Sequence, residues 1–202
     1  MVPLNEEQLT QIRDERKEQI VAAAVKVFAR RGIVGTKMSM IAAEAGISHG
    51  LLYHYFKSKE ELFTTLIEEA MAESLRETTN VNHLAGSPLD KIRAFTEAIL
   101  DKENMEYFLL VHHARTSNDV PEKVKEIFSK NNMNVYVDLL KNIIVEGQAK
   151  GEIVAGDPEK LIVSYISVLS GIMVINANDM EVEGYRIPEI DLLMRIVQKV
   201  PE

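Results

Sequence analysis

The residues best suited to chemistry in this 202-residue chain sit in one segment, AGISHGLLYHYFKSKEEL, Ala45 to Leu62. It places His49, Tyr53, His54 and Tyr55 close together, follows them with Lys57 and Lys59, and holds no carboxylate before Glu60. Imidazole and phenol tips exchange hydrogen bonds, and ammonium groups attract anions. Such a set suits recognition of a polar, anionic partner.

Catalysis finds no comparable support. The chain has no cysteine, which removes thiolate nucleophiles, disulfides and thiolate metal sites. It also lacks a Gly-rich phosphate loop, an H-E-x-x-H pair and a G-x-S-x-G turn. His112 and His113 are adjacent, not i, i+4 on one helix face, so no metal and no cofactor is expected. The expectation is a binding protein, not an enzyme.

Charge narrows where an anionic partner would bind. The net charge is −8, yet residues 1–60 hold nine Lys/Arg against seven Asp/Glu, an excess of +2, while the remainder carries −10. Only the N-terminal part is fit to meet a polyanion, and its small excess means placement matters more than bulk charge. MVPLNEEQLTQ lacks the basic-then-apolar pattern of a secretory signal, and a cytoplasmic location is expected. Leu161 to Asn178 carries no charge, but three serines, Gly171 and Asn176 dilute it, so it reads as a covered helix and no membrane span is expected.

The elements that must position these residues are helical throughout, because apolar residues recur at helical spacing and no strand alternation persists. A first helix begins at Asn5, where N-E-E-Q offers a capping box, buries Ile20, Val21, Ala24, Val27 and Phe28, and ends at Gly32. Thr36 is placed to cap a short helix from Lys37 to Ala45. Gly46 then supplies a left-handed turn, Ser48 caps the next helix, and Leu52 and Phe56 form that helix's core face. With those two buried, His49, Gly50, Tyr53 and His54 face outward. Two short helices joined through a glycine turn are a helix-turn-helix arrangement, whose outer side fits a DNA groove. The competing reading is that the tyrosines half-bury against neighbouring helices. Ser58 opens a further helix to about Glu77 by S-K-E-E, with Lys59 set against the positive end of its dipole; that placement calls for an anionic partner, for which a DNA phosphate would serve. Prolines at 88, 121, 158 and 188 mark later helices, expected near 88–101, 105–118, 121–149, 158–177 and 188–199.

RRGIVGTKMSMIAAEAGISHGLLYHYFKSKEELF resembles the DNA-binding signature of the TetR family of transcriptional regulators, with Gly32, Thr36, Ala45-Gly46, Ser48, Tyr53, Phe56 and Lys59 at motif positions. The resemblance implies an N-terminal three-helix DNA-binding domain over 1–58, with the helix-turn-helix proper at 37–56. A helical effector-binding and dimerisation domain follows over 59–202. It implies phosphate contacts from Thr36, Tyr53, His54 and Lys59 and base readout by Ser39, His49, Gly50 and Leu51, with Lys37 and Ser48 in the same DNA-binding set. Arg13, Arg16 and Lys17 are candidates for additional backbone contacts.

A single such unit reads few base pairs, so a homodimer with recognition helices roughly 34–36 Å apart is expected on an inverted-repeat operator. The 158–177 helix has no polar face, and Ser164, Ser167 and Gly171 form a small-residue stripe along it; with Leu169, and with Leu193 and Val197 from the last helix, they are the candidate dimer interface, a four-helix bundle. Candidate effector contacts are Met105, Phe108, His112, Tyr136, Tyr165 and Met173. The resulting expectation is a dimeric repressor released from DNA by a small molecule; a chromosome-organising protein of the same fold without an effector is the alternative.

Overall fold

The computed structural model describes residues 5–101, 104–177 and 188–200, and among them every regular element is an α-helix. They are α1 Glu6–Gly35, α2 Met38–Glu44, α3 His49–Tyr55, α4 Lys59–Val81, α5 Pro88–Leu100, α6 Met105–Thr116, α7 Glu122–Lys130, α8 Met133–Ala149, α9 Pro158–Ala177 and α10 Ile190–Met194. The all-helical class read from periodicity holds, as do several caps. The Asn5 side chain accepts from Gln8 N at 2.8 Å while Gln8 Oε1 accepts from Asn5 N at 3.0 Å. Ser87 and Asp90 form the same box at the start of α5, ahead of Pro88 at the first helical position.

The chain divides into two compact units. The first comprises residues up to Ala70 together with Glu106–Ile127; the second comprises Met71–Met105 and the chain from Phe128 on. This differs from a boundary at residue 58. The first half of α4, all but the first residue of α6, and most of α7 belong with α1–α3, and Leu110, Ala114 and Val124 are interior positions there. An ion pair of 2.7 Å joins Lys123 of α7 to Glu68 of α4.

The first unit's core contains Ile20, Phe28, Ile41, Leu52, Leu62, Phe63, Leu66 and Ile67, all fully buried. Phe28 of α1 meets Phe63 of α4 edge to face, with ring centroids 4.9 Å apart, a favourable quadrupole geometry. Val21, expected in this stripe, is only half-buried, and Val25 takes an interior place instead. Gly32 adopts φ 62°, a conformation costly for any residue with a Cβ, and kinks the end of α1.

The second unit packs α5, α8, α9 and α10 around Ile92, Phe95, Leu140, Ile144, Ile162, Tyr165, Leu169, Leu193 and Val197. Two sequence expectations need correction here. The single helix over 121–149 is two, α7 and α8, because the Asn132 side chain leaves the helical path to accept from Asn134 N at 2.9 Å and so caps a new helix. The last helix, expected over 188–199, is only the five residues of α10. After it the backbone pairs with the α8–α9 connection, Val154 N to Val197 O and Lys199 N to Glu152 O, each at 2.9 Å. Those bonds satisfy loop groups that a continued helix would leave unpaired.

Candidate nucleic-acid interface

The α2–α3 unit is assembled from short-range rules. The Ile47 N–H donates to Ala42 O at 3.0 Å across the turn, and Gly46 sits there at φ 62°. Ser48 Oγ accepts from Leu51 N at 3.2 Å and starts α3. Leu52 and Phe56 are buried, one turn apart, and this fixes the roll of α3. His49, Gly50, Leu51, Tyr53 and His54 are consequently exposed, as are Ser48 itself and, at the start of α2, Lys37 and Ser39. Tyr53 is 42% exposed, which removes the reading in which it half-buries as core; Tyr55 is the one that does so.

The outward side chains are ordered against each other. His49 and Tyr53, one turn apart, meet edge to face with centroids 4.8 Å apart, and His54 meets Tyr55 likewise at 5.7 Å. Stacking restrains rotamers that would otherwise have to be fixed on binding. The face thus offers imidazole, phenol and hydroxyl groups around a bare Gly50, with nothing within 4 Å of where a Cβ would stand. Donors and acceptors of this kind suit base edges and phosphate oxygens.

Two residues expected at phosphates have partners within the protein. Thr36 is 1% exposed and does not cap α2; its hydroxyl donates to Gly32 O at 2.7 Å and closes the kink at the end of α1. Lys37 is the residue at the α2 N-cap, without a side-chain capping bond. Lys59 is half-buried, with Nζ donating to Ile33 O at 2.7 Å and Thr36 O at 3.1 Å. The dipole cost of an ammonium at the start of α4 is therefore offset inside the protein, by carbonyls at the end of α1, and requires no phosphate. Glu61 also departs from the expected box: its backbone N–H donates to Ser58 Oγ at 3.0 Å, but its carboxylate accepts from Lys57 N at 2.7 Å.

Of the candidate dimer residues, Ser164, Ser167 and Gly171 are exposed along one face of α9, beside Val163, Val168 and Ile175. Leu169, Leu193 and Val197 are buried in the core of the second unit and are not part of this exposed face. The roll of α9 explains this: Ile162, Tyr165, Leu169 and Ile172, at helical spacing, take the core side. From the last segment, Leu192, Ile196 and Val200 are the exposed apolar residues.

The candidate effector contacts have mixed settings. In the first unit Phe108 and His112 stack with centroids 6.1 Å apart, and burial followed by the neighbouring His113 holds the His112 pKa below the usual imidazole value. In the second, half-buried Tyr136 donates to Ser74 Oγ at 3.2 Å, Met105 is half-buried and Met173 is buried. Tyr165 is buried with its hydroxyl 2.7 Å from Thr96 Oγ1, and burial raises its pKa. The apolar cavity beside it measures about 10 Å³, the size of one water at most.

Comparison with known proteins agrees with this geometry. The model of the family "Bacterial regulatory proteins, tetR family" matches residues 20–66. The fatty acid metabolism regulator protein of Bacillus subtilis is 30% identical over 142 residues, covering 68% of this chain and 71% of that protein. The helix-turn-helix transcriptional regulator YerO of the same organism is 29% identical over 195 residues, covering 90% of this chain and 65% of YerO, so the chain spans just under two thirds of that relative. A Saccharomonospora viridis protein solved in complex with choline shares the fold, with a TM-score of 0.69 at 15% identity over 90% of this chain and 93% of that one. The exposed, stacked face of α3 on its glycine-turn helix pair lies inside the matched segment, and the chain belongs to the TetR family of bacterial regulatory proteins.

Proposed function

We propose that the protein is a cytoplasmic, dimeric repressor that holds an inverted-repeat operator and releases it when a small molecule binds. The observation that carries the reading is the roll of α3: Leu52 and Phe56 buried, His49, Gly50, Leu51, Tyr53 and His54 exposed. His49, Gly50 and Leu51 face base edges, with Ser39 of α2 beside them, while Lys37, Ser48, Tyr53 and His54 hold phosphates. Thr36 and Lys59 leave the contact set, because their side chains are engaged within the protein.

The exposed α9 face of Val163, Ser164, Ser167, Val168, Gly171 and Ile175 supports pairing of two copies. Its small residues admit a close helix approach, and its valines and isoleucine gain by being covered. α9 meets the length and hydropathy of a membrane span, but Ile162, Leu169 and Ile172 already belong to a protein core. For the effector, the tight packing around Tyr165 supports entry by rearrangement of the second unit, not occupation of an open pocket. Because α4 contributes residues to both units, its displacement is the route by which that rearrangement reaches α3.

Selection of genomic fragments by the purified protein, with footprinting and a salt titration of the best fragment, tests the reading. A protected inverted repeat with a steep salt dependence is the expected result. No enrichment at low salt would overturn it, and enrichment of many scattered sites would favour the chromosome-organising alternative.

A further inference from the structure

The helix α1 starts 14 residues before its first fully buried position, Ile20, and the stretch from Glu6 to Gln19 has no interior side chain. Its residues are sorted by sign. Leu9, Arg13, Arg16 and Lys17 stand at helical spacing in line with the core positions Ile20 and Ala24, whereas Glu7, Asp14, Glu15 and Glu18 fall outside that stripe; the one acidic residue in line with it is Glu6, in the first turn. Leu9 and Ile12 are 53% and 46% exposed, on or beside the basic stripe.

This sorting is costly in the free protein. Arg13 has Arg16 at i+3 and Lys17 at i+4, like-charge placements that destabilise a helix, where a solvated helix gains by alternating signs at that spacing. Neither Arg13 nor Lys17 forms an ion pair among the described residues, despite the acidic residues on the same helix. An anionic surface along the basic stripe would relieve that repulsion, and the acidic face would point away from it.

The root of this arm is tied to the DNA-reading element. Gln19 Nε2 donates to Ala45 O at 2.7 Å, in the turn that precedes α3, and Arg16 Nη1 donates to Gln19 Oε1 at 2.6 Å. The basic stripe therefore runs out from the turn that precedes the N-terminal end of α3, the end that enters a major groove in helix-turn-helix proteins. From there the helix extends about 21 Å at 1.5 Å per residue, the length of about six base pairs.

Resting on the operator reading above, we propose that residues 5–19 form a second DNA-binding element, in which Arg13, Arg16 and Lys17 hold phosphates flanking the half-site read by α3. Leu9 and Ile12 then cover sugar carbons, and the operator's effective length exceeds the repeat that α3 reads.

The test compares the full chain with its Arg13→Ala/Arg16→Ala/Lys17→Ala variant on two fragments, the selected operator with long flanks and the same repeat trimmed at its outer edges, each titrated with salt. The wild type is expected to bind the trimmed fragment more weakly, the variant to bind both alike, and the variant's salt slope to fall by about 0.9 for each phosphate it no longer neutralises. An unchanged slope and affinity for the variant, or indifference of the wild type to the flanks, overturns the proposal while leaving the operator reading intact. Failure of the wild type to prefer any fragment sinks the operator reading and this one with it. Circular dichroism of the variant checks that the helix persists, and a Leu9→Glu/Ile12→Glu variant that sediments as a monomer would assign the face to a second copy and overturn the proposal.

Discussion

Replacing Lys59 with Met separates two accounts of the residue that joins α4 to the α1–α2 connection. Methionine keeps the length and helix propensity of lysine but removes the ammonium and both of its bonds, to Ile33 O at 2.7 Å and Thr36 O at 3.1 Å. Bonds to a charged donor contribute about 1.5–3 kcal/mol each when buried. Half-exposure of Lys59 and the relief of its own dipole repulsion at the start of α4 reduce the pair to about 1–2 kcal/mol. For a chain of this length that corresponds to a fall in Tm of about 2–8 °C. The kink carrying Thr36 loses its tether to α4, so operator affinity falls as α2 and α3 lose their fixed placement, but every phosphate ligand remains and the salt slope stays at the wild-type value. Differential scanning calorimetry and a salt titration on one operator fragment read both quantities. An unchanged Tm together with a slope reduced by about 0.9 would show that Lys59 works as a phosphate ligand and that its internal bonds are incidental.

Other substitutions separate packing from reading. Leu52→Ala opens a cavity under α3 at a fully buried site and should destabilise the chain by about 2–5 kcal/mol in urea unfolding. His49→Ala, at an exposed position, should leave unfolding unchanged and reduce discrimination between the operator and mismatched sequences in competition binding. Val168→Arg places a charge on the open face of α9 and should shift the sedimentation of the protein from dimer toward monomer without lowering its helix content. Asp90 has its pKa lowered, first by the Ser87 backbone N–H and then by the Ser87 hydroxyl, so the folded state binds its proton less readily than the unfolded chain. The stabilisation is therefore complete above the ordinary carboxylate range and is lost as pH falls through the lowered value; Ser87→Ala, which keeps the backbone donor and removes only the hydroxyl, should make that acid limb of a stability–pH profile shallower without abolishing it.

Whatever depends on near neighbours is legible in the sequence. The capping box at Asn5, the glycine turn at Gly46, the serine cap at Ser48 and the burial of Leu52 and Phe56 involve residues within five positions of each other, so their physics is written in the spacing. The same locality exposes the recognition face. The break before α8 is also local, and the Asn131-Asn132 pair is the signal that marks it.

Lys59 escapes local reasoning because its partners, Ile33 and Thr36, lie 26 and 23 residues away, and only the tertiary fold brings a carbonyl pair to an ammonium that its own helix would match with an anion. Thr36 escapes it for a related reason: two alternatives, capping α2 or closing the kink at Gly32, are equally near in sequence, and packing around the kink selects the second. α9 is apolar on every side, so periodicity does not say which side meets the core; contact with α5 and α8 decides it and turns Leu169 inward while leaving Val168 outside. Spacing along a helix thus determines which residues act together, but which way a uniformly apolar helix faces, and which distant carbonyl satisfies a charge, depend on long-range contacts that no local pattern encodes.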